Sequence, residues 1–234
     1  FLGGLFDYPP GDLAMLNVPF VCCSYSNQYG TLRVGEYSAV SIADEETARQ
    51  AVDHLYDHGH RRIAALICRE DDQSISQLRY QGYRKALESH GIPLDEDLVM
   101  CTGTFDIRDA YEAVSRRLRQ GADFTALFAI ADSMAIGAMR ALRDAGRRVP
   151  EDCSVIAIDG LELSAYIEPP LTTLCQPMEE MGRRSAQILL GMLRGHGSHC
   201  CEVLPTKLRE GGSVRSVCCL LYTSDAADER SSVD

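Results

Sequence analysis

The chain has 234 residues, 45% of them hydrophobic, which is enough for one large domain or two modest ones. Its formal net charge of -11 argues against a nucleic-acid surface on this segment, because phosphate binding depends on clustered lysines and arginines. No apolar run approaches the roughly 20 residues that a membrane-spanning helix needs.

Helices and strands alternate along the first half of the chain. Between Asp44 and Gly59 the apolar residues recur at helical spacing, and three acids occupy the first turn, where the helix dipole favours negative charge. Asp106 is expected to cap a helix that ends at Gly121. Similar signals predict strands over 18–23, 63–68 and 98–102 and a helix over 77–90.

The stretch from Thr125 to Pro177 repeats this alternation. Residues 126–131 form an apolar run of strand length, and Asp132 is expected to cap the helix that follows and ends at Gly146. Residues 154–158 form a second apolar strand, which ends at a turn. A strand, helix, strand order implies a parallel sheet, so the predicted class is α/β.

The ten cysteines do not form a disulfide pattern, since three adjacent pairs close no useful loop and four others sit in or beside apolar strands. We expect reduced thiols and a cytoplasmic protein. The cysteines lack zinc-site spacing, and His54 and His58, four residues apart, lack the glutamate of a zinc protease. A cluster at His196, His199, Cys200 and Cys201 lies in a glycine-rich loop, so we expect no metal site.

Catalytic signatures are missing from the sequence. It contains no G-x-S-x-G nucleophile elbow, no phosphate loop of the form G-x-x-x-x-G-K-[ST], and no G-x-G-x-x-G dinucleotide fingerprint. The adjacent acids Asp71 and Asp72 are read as solvated charge. We therefore predict that the chain is not an enzyme and needs no cofactor.

Both ends of the sequence are unusual. It begins with Phe1 at what reads as the end of an apolar strand, so we expect that an upstream part is missing. Residues 219–229 resemble the translation of a sequencing adapter, and 216–234 are expected to be a non-native tail. Residues 219–234 hold four acids and one arginine, so the chain remains acidic without them.

Five phrases, in order and at matching intervals, carry a resemblance to a known family. They are residues 59–64, Arg79 with Gly82-Tyr83, and residues 132–138, 149–156 and 170–177. From about residue 18 to about residue 215, the chain resembles the effector-binding core of the lactose/galactose repressor (LacI/GalR) family of bacterial transcription regulators.

The resemblance implies a periplasmic-binding-protein-like fold with two α/β lobes, three crossovers between them, and a sugar, nucleoside or purine in the cleft. By analogy, residues 1–40 and 171–197 form the remnant of an incomplete first lobe, and 41–170 and 198–215 form the second. Relatives bind operator DNA as dimers through a helix-turn-helix domain ahead of the core. Operator contact and homodimerisation are therefore expected of the full-length protein.

Ligands of open parallel sheets bind outside the carboxyl ends of the strands. An arginine, an aspartate and an aromatic ring there suit a polyol, through bidentate hydrogen bonds and stacking on the sugar face. A carbohydrate or nucleoside effector is the working hypothesis. The candidate ligand-binding residues are Ser24, Arg79, Phe105, Ala131, Asp132 and Asp159.

In the resemblance, Arg79 and Asp159 match positions that hold effector hydroxyls, and Phe105 matches the stacking position. Ala131 departs from the family's frequent asparagine, and Ser24 stands where some relatives have an acid. Four of the six residues also have a plainer interpretation. Arg79 could be a surface arginine, Phe105 a lobe-packing residue, Asp132 a helix cap and Asp159 a turn cap.

Two further assignments stay open. The apolar face of the helix after Pro177, formed by Met181, Ile188, Leu189 and Met192, suits core packing or dimerisation. The alternative function from another class is a periplasmic sugar-binding protein of a transporter, which has the same two-lobed fold. The upstream sequence separates the two, since a regulator has a helix-turn-helix there and a transporter component an apolar leader.

Overall fold

The computed structural model describes residues 18–24, 35, 37–68, 74–195 and 197–217. The strands are β1 (Val21–Cys23), β2 (Ser38–Ile42), β3 (Ile63–Ile67), β4 (Val99–Cys101), β5 (Ala126–Ala129), β6 (Ser154–Asp159), β7 (Thr172–Cys175), β8 (Cys201–Leu204) and β9 (Lys207–Arg209). The helices are α1 (Asp44–Asp57), α2 (Ile75–Ser89), α3 (Ile107–Arg119), α4 (Asp132–Asp144) and α5 (Met178–Leu193), with 3-10 turns at Glu96–Leu98 and Glu162–Ala165. The predicted α/β class is confirmed.

The strands form two sheets. The larger sheet has the order β4-β3-β5-β6-β7-β9 and is parallel except for β9, and the smaller has the parallel order β1-β2-β8. Every residue of β3 and β5 is buried, which explains why both read as continuous apolar runs. None of the helices in the described ranges is long and apolar enough to cross a membrane.

The chain passes between the two sheets three times. It leaves the smaller sheet after β2 and enters α1, which packs with α2 beside the larger sheet. It returns after β7 through α5, which contacts β1 and β2, and it crosses again between β8 and β9. The three crossovers implied by the resemblance are therefore present in the structure.

The strand pairing corrects the predicted division between the lobes. The predicted division puts β7, with residues 171–197, in the first lobe, but β7 pairs with β6 in the larger sheet. It puts β8, with residues 198–215, in the second lobe, but β8 pairs with β2, and the predicted boundary at residue 40 falls inside β2. Local motifs in the sequence predict the order of the elements, but the sheet that a strand joins depends on its pairing with distant strands.

The folded part also reaches beyond the expected start of the tail at residue 216. The amide of Val217 donates to the carbonyl of His58 at 2.7 Å, and its own carbonyl closes over Gly59, where a Cβ would come within 2.6 Å. The positive φ of Gly59, 90°, likewise suits glycine. Residues 218–234, the rest of the expected tail, lie outside the described residues.

A buried histidine connects the amino-terminal ends of neighbouring strands of the larger sheet. His60, which precedes β3, is 2% exposed, and its Nδ1 lies 3.0 Å from Oγ1 of Thr125, the residue before β5. Its Nε2 lies 2.9 Å from Oγ of Ser154, the first residue of β6, and 3.2 Å from the Arg215 carbonyl. Burial lowers the pKa of the imidazole, and the nearby charges of Arg215, His58 and Arg61 lower it further.

We expect this histidine to make stability depend on pH. Because its folded-state pKa lies below the ordinary value of about 6.5, its contribution is complete above that pH and is lost as the pH falls toward the folded-state pKa. The free energy of unfolding should fall by up to about 1.4 kcal/mol per pH unit in that window. Urea unfolding of wild type and His60→Gln between pH 7 and 5 measures the difference.

His54, whose pKa burial also lowers, is present in both proteins, so the difference isolates His60. Identical pH slopes for the wild type and His60→Gln would contradict the assignment.

Candidate functional site

The candidate site lies where four parallel strands of the larger sheet end. Arg79 follows β3 and sits in α2, the Ile130 carbonyl follows β5, and Asp159 is the last residue of β6. Gln176 directly follows β7, whose Cys175 is in register with Asp159. Because carboxyl ends of parallel strands share one edge, these groups converge at the place where such sheets bind ligands.

Arg79 is fully embedded in this site. It is 2% exposed, and its Nε donates to Asp44 Oδ1 at 2.8 Å. Its Nη1 donates to the Ile130 carbonyl and to Asp159 Oδ1, the latter at 3.2 Å. The surface-arginine interpretation is therefore wrong, because the side chain is surrounded by acceptors that are themselves fixed by the fold.

Burial sets the electrostatics of the arginine and its first partner. It opposes the charge on Arg79, but Asp44 and Asp159 outweigh that effect and keep the pKa of the guanidinium above its ordinary value. Burial raises the pKa of the Asp44 carboxyl, an effect that the charge of Arg79 opposes. Each group is therefore costly to bury alone and is stabilised by the other.

A glycine allows the two helices that carry this pair to approach. A Cβ on Gly82, one turn after Arg79, would lie 2.1 Å from the Glu45 carbonyl and 2.8 Å from Ala48 Cβ. Residue 82 therefore has no room for a side chain against α1. This close contact brings Asp44, the first residue of α1, within hydrogen-bond distance of Arg79.

Asp159 is held in an unusual backbone conformation. Its φ is 136°, a value that non-glycine residues rarely adopt, and such strain costs on the order of 1–3 kcal/mol and clusters at ligand sites. Gln176 fixes the residue from two sides, because its Nε2 donates to Asp159 Oδ1 at 2.7 Å and its amide donates to the Asp159 carbonyl at 3.0 Å. The side-chain donors Arg79 and Gln176 both use Oδ1, so Oδ2 accepts no hydrogen bond from the residues that the structure describes.

Asp132 has a different place from the one expected. The residue at the N-cap of α4 is Ala131, and Asp132 is the first helical residue, with no exposed surface. Its carboxylate accepts from Thr173 Oγ1 at 2.6 Å, Ser164 Oγ at 2.7 Å and the Leu161 amide at 2.8 Å. The helix-cap prediction is thus wrong, since the carboxylate faces distant segments and makes no bond to its own helix end.

The geometry gives Asp132 a positioning role. It ties β7 to the turn that follows Asp159, because its donor Thr173 lies in β7 and its donors Leu161 and Ser164 lie in that turn. Burial raises the pKa of this carboxyl, and the hydrogen bonds from Thr173, Ser164 and Leu161 oppose the increase.

The other three candidate residues lie in different places relative to Arg79 and Asp159. Ala131 is 3% exposed and follows the Ile130 carbonyl that binds Arg79. Phe105 is 42% exposed, and its carbonyl accepts from Ser133 Oγ at 2.8 Å, which places it beside the start of α4. Ser24, with φ 58°, follows β1 in the smaller sheet and donates its amide to the Val40 carbonyl.

Sequence reasoning missed two residues that the structure brings to the centre, Asp44 and Gln176. Asp44 was explained by the helix dipole alone, and no local signal separates it from Glu45 and Glu46. Gln176 belonged to a phrase of the resemblance but received no role. Its position directly after β7, at the ligand-binding edge of the sheet, was the signal that could have found it.

A concave surface lies away from these residues. A cleft of about 670 Å³ runs between α3, α4 and the segments around residues 148 and 168. Arg79 and Asp159 remain the candidate site, because the charged side chains that line the cleft are exposed or half-buried, whereas Arg79 is buried among acceptors. Among the described residues, no group of three or more His, Cys, Asp or Glu could hold a metal ion.

Asp132 gives a direct test of its positioning role. In Asp132→Asn the amide offers one acceptor oxygen and turns an NH₂ toward protein donors, so the loss of stability should be about 2 kcal/mol. Urea unfolding measures it. Asp144→Asn is the matched control, because this carboxylate on the same helix is exposed and pairs with Arg140, and it should change little. Equal effects at the two positions would contradict the role.

The chain is similar to proteins of a known family. A family model described as a periplasmic binding protein-like domain matches residues 52–214. The HTH-type transcriptional regulator CelR of Thermobifida fusca is 39% identical over 180 residues, which cover 76% of this chain and 52% of the relative. The chain therefore spans about half the length of the curated relatives it matches.

Solved structures give the same relationship. A transcriptional regulator CelR–cellobiose complex superposes with a TM-score of 0.78 at 35% identity, covering 87% of this chain and 61% of the other. A sugar-binding LacI-family regulator from Escherichia coli, complexed with phosphate, superposes with a TM-score of 0.75 at 32% identity, covering 88% and 72%. The predicted periplasmic-binding-protein-like fold is confirmed, and the chain belongs to the LacI/GalR family of transcriptional regulators.

Proposed function

We propose that this chain is the effector-binding core of a bacterial transcriptional repressor that senses a small sugar or nucleoside. The observation that carries the proposal is the convergence of Arg79 and Asp159 at the ligand-binding edge of a parallel sheet. The relative solved with cellobiose supports a carbohydrate.

The chemistry of the site suits hydroxyl groups. The side chain of Asp159 is 21% exposed, and no donor in the described part of the chain bonds to its Oδ2, while Gln176 and Arg79 donate to Oδ1. A carboxylate oxygen fixed in this way accepts a hydrogen bond from a ligand hydroxyl without losing further conformational entropy. The exposed ring of Phe105, near the start of α4, would stack on the face of a sugar or base.

The position of the site explains how occupancy would be transmitted. Asp44 and Gln176 lie directly at two of the three crossovers, and Thr206 at the third lies 3.4 Å, Oγ1 to Oγ1, from Thr47 in α1. An effector on Asp159 therefore touches the network that joins the two sheets. It shifts the inter-lobe equilibrium only by its differential affinity for the two states.

The partners of the whole protein are proposed by analogy with relatives. The relatives named HTH-type regulators support operator DNA as a partner, bound through a DNA-binding segment outside this acidic chain. They favour a regulator over both a periplasmic sugar-binding protein and an enzyme. The proposed location is the cytoplasm, where a bacterial regulator meets DNA.

We place homodimerisation on the face that carries the cleft beside α3 and α4. Apolar side chains of Ile107, Ile136 and Met139 line the cleft, and Leu163 and Tyr166 nearby in the chain are 57% and 79% exposed. Large exposed apolar groups of this kind are typical of protein interfaces. The face of α5 is the alternative surface, because it exposes Met178, Leu190 and Leu193 at 49%, 49% and 60%, although Met181 is buried and Ile188 packs against the core.

A binding experiment tests the sensor function. We expect at least one neutral sugar or nucleoside, cellobiose and ribose among the probes, to raise the melting temperature, because binding only the folded state stabilises it. Asp159→Asn should weaken that ligand by at least about tenfold, the loss expected of one charged hydrogen bond. Isothermal titration calorimetry gives the affinity.

Glu162→Gln is the matched control, because this exposed carboxylate lies three residues from Asp159 and outside its network. Binding that is equally strong in both variants would show that the effector lies elsewhere.

A further inference from the structure

Carboxylates of the protein already balance the positive charge of Arg79. Asp44, 5% exposed, takes the Nε donor at 2.8 Å, and Asp159 and the Ile130 carbonyl take Nη1. A buried arginine with free donors is the usual binder of phosphate and carboxylate groups, because its planar fork matches their oxygens. Here two carboxylates already face one guanidinium.

The side chains next to Arg79 do not make the site positively charged. Arg209 reaches the same edge, but its Nη2 donates to Ser164 Oγ and the Leu161 carbonyl, around the buried carboxyl of Asp132. Gln176 is neutral and donates to Asp159. Among the described residues at this edge, the acids Asp44, Asp132 and Asp159 therefore outnumber the arginines.

We infer that Asp44 is a specificity-determining residue: by neutralising Arg79, it restricts the site to effectors that present uncharged hydroxyl groups and excludes their phosphate esters. This inference rests on the proposed sensor function and names the charge class of its ligand. Asp44 acts through Arg79 and does not touch the effector. Among the described residues, two charged groups of the site keep atoms without a hydrogen bond: Asp159 Oδ2, which attracts a hydroxyl donor and repels a phosphate oxygen, and Arg79 Nη2, whose positive charge the two carboxylates already balance.

The expected discrimination is large. A like-charge contact at about 5 Å, with an effective dielectric constant of about 20, weakens binding on the order of 100-fold. Asp44→Asn removes one negative charge but keeps an oxygen that can accept from Arg79 Nε. In this variant the affinities of a neutral ligand and its phosphate ester should then differ by less than about tenfold.

Calorimetric titration of the chain with matched pairs tests the inference. The pairs are cellobiose and cellobiose 6-phosphate, ribose and ribose 5-phosphate, and adenosine and adenosine monophosphate. Glu45→Gln is the matched control, because Glu45 is adjacent to Asp44 but pairs with Lys85, and it should leave the discrimination unchanged. The same titrations at high salt should narrow the gap in wild type, since salt screens charge repulsion.

The outcomes separate the two proposals. A neutral ligand that binds while its ester binds about 100-fold less, with the gap narrowed in Asp44→Asn, supports the inference. An ester that binds wild type as tightly as its parent overturns the inference and leaves the sensor function standing. If the difference in affinity between the neutral ligand and its ester is the same in Asp44→Asn as in the wild type, Asp44 does not determine the specificity. If Asp44→Asn does not fold and the difference in the wild type does not change with salt, the discrimination is not electrostatic and the inference is overturned. Failure of every pair to bind overturns both proposals.

Discussion

The buried ion pair between Arg79 and Asp44, extended to Asp159, is the interaction on which the site depends. Burying these charges is costly, and removal of one partner of such a pair typically destabilises a protein by about 3–5 kcal/mol. The arrangement persists because α1 and α2 touch at Gly82, which brings Asp44 to the guanidinium. Packing of two helices thus decides the charge of a site formed at the ends of strands.

The same network connects the candidate ligand-binding residues to the segments that join the two sheets. Asp159 ends a strand of the larger sheet and Arg79 lies in the helix after β3, whereas Asp44 and Gln176 occupy the points where the chain crosses to or from the smaller sheet. A ligand on Asp159, as proposed, would therefore act on the crossovers without a long relay of contacts. In a two-state regulator such a position is useful, because the energy of binding is spent where the two lobes are joined.

The sequence predicted what local periodicity controls. The α/β class, the five helices and the cap at Asp106 followed from apolar spacing and terminal residues, and the strand-end rule selected Arg79 and Asp159. Contacts between distant segments were not predictable. Asp132 looked like a cap because its bonds to Ser164 and Thr173 span about 30 to 40 residues, and β7 and β8 were placed in the wrong lobe because pairing across a crossover leaves no local pattern.

The most direct test of the account is a crystal structure of the chain with a bound effector, with cellobiose as the first ligand to try. The account predicts a sugar hydroxyl within about 3 Å of Asp159 Oδ2, with Arg79 still paired to Asp44. A sugar bound in the cleft beside α3 and α4, with Asp159 left without a ligand contact, would contradict it.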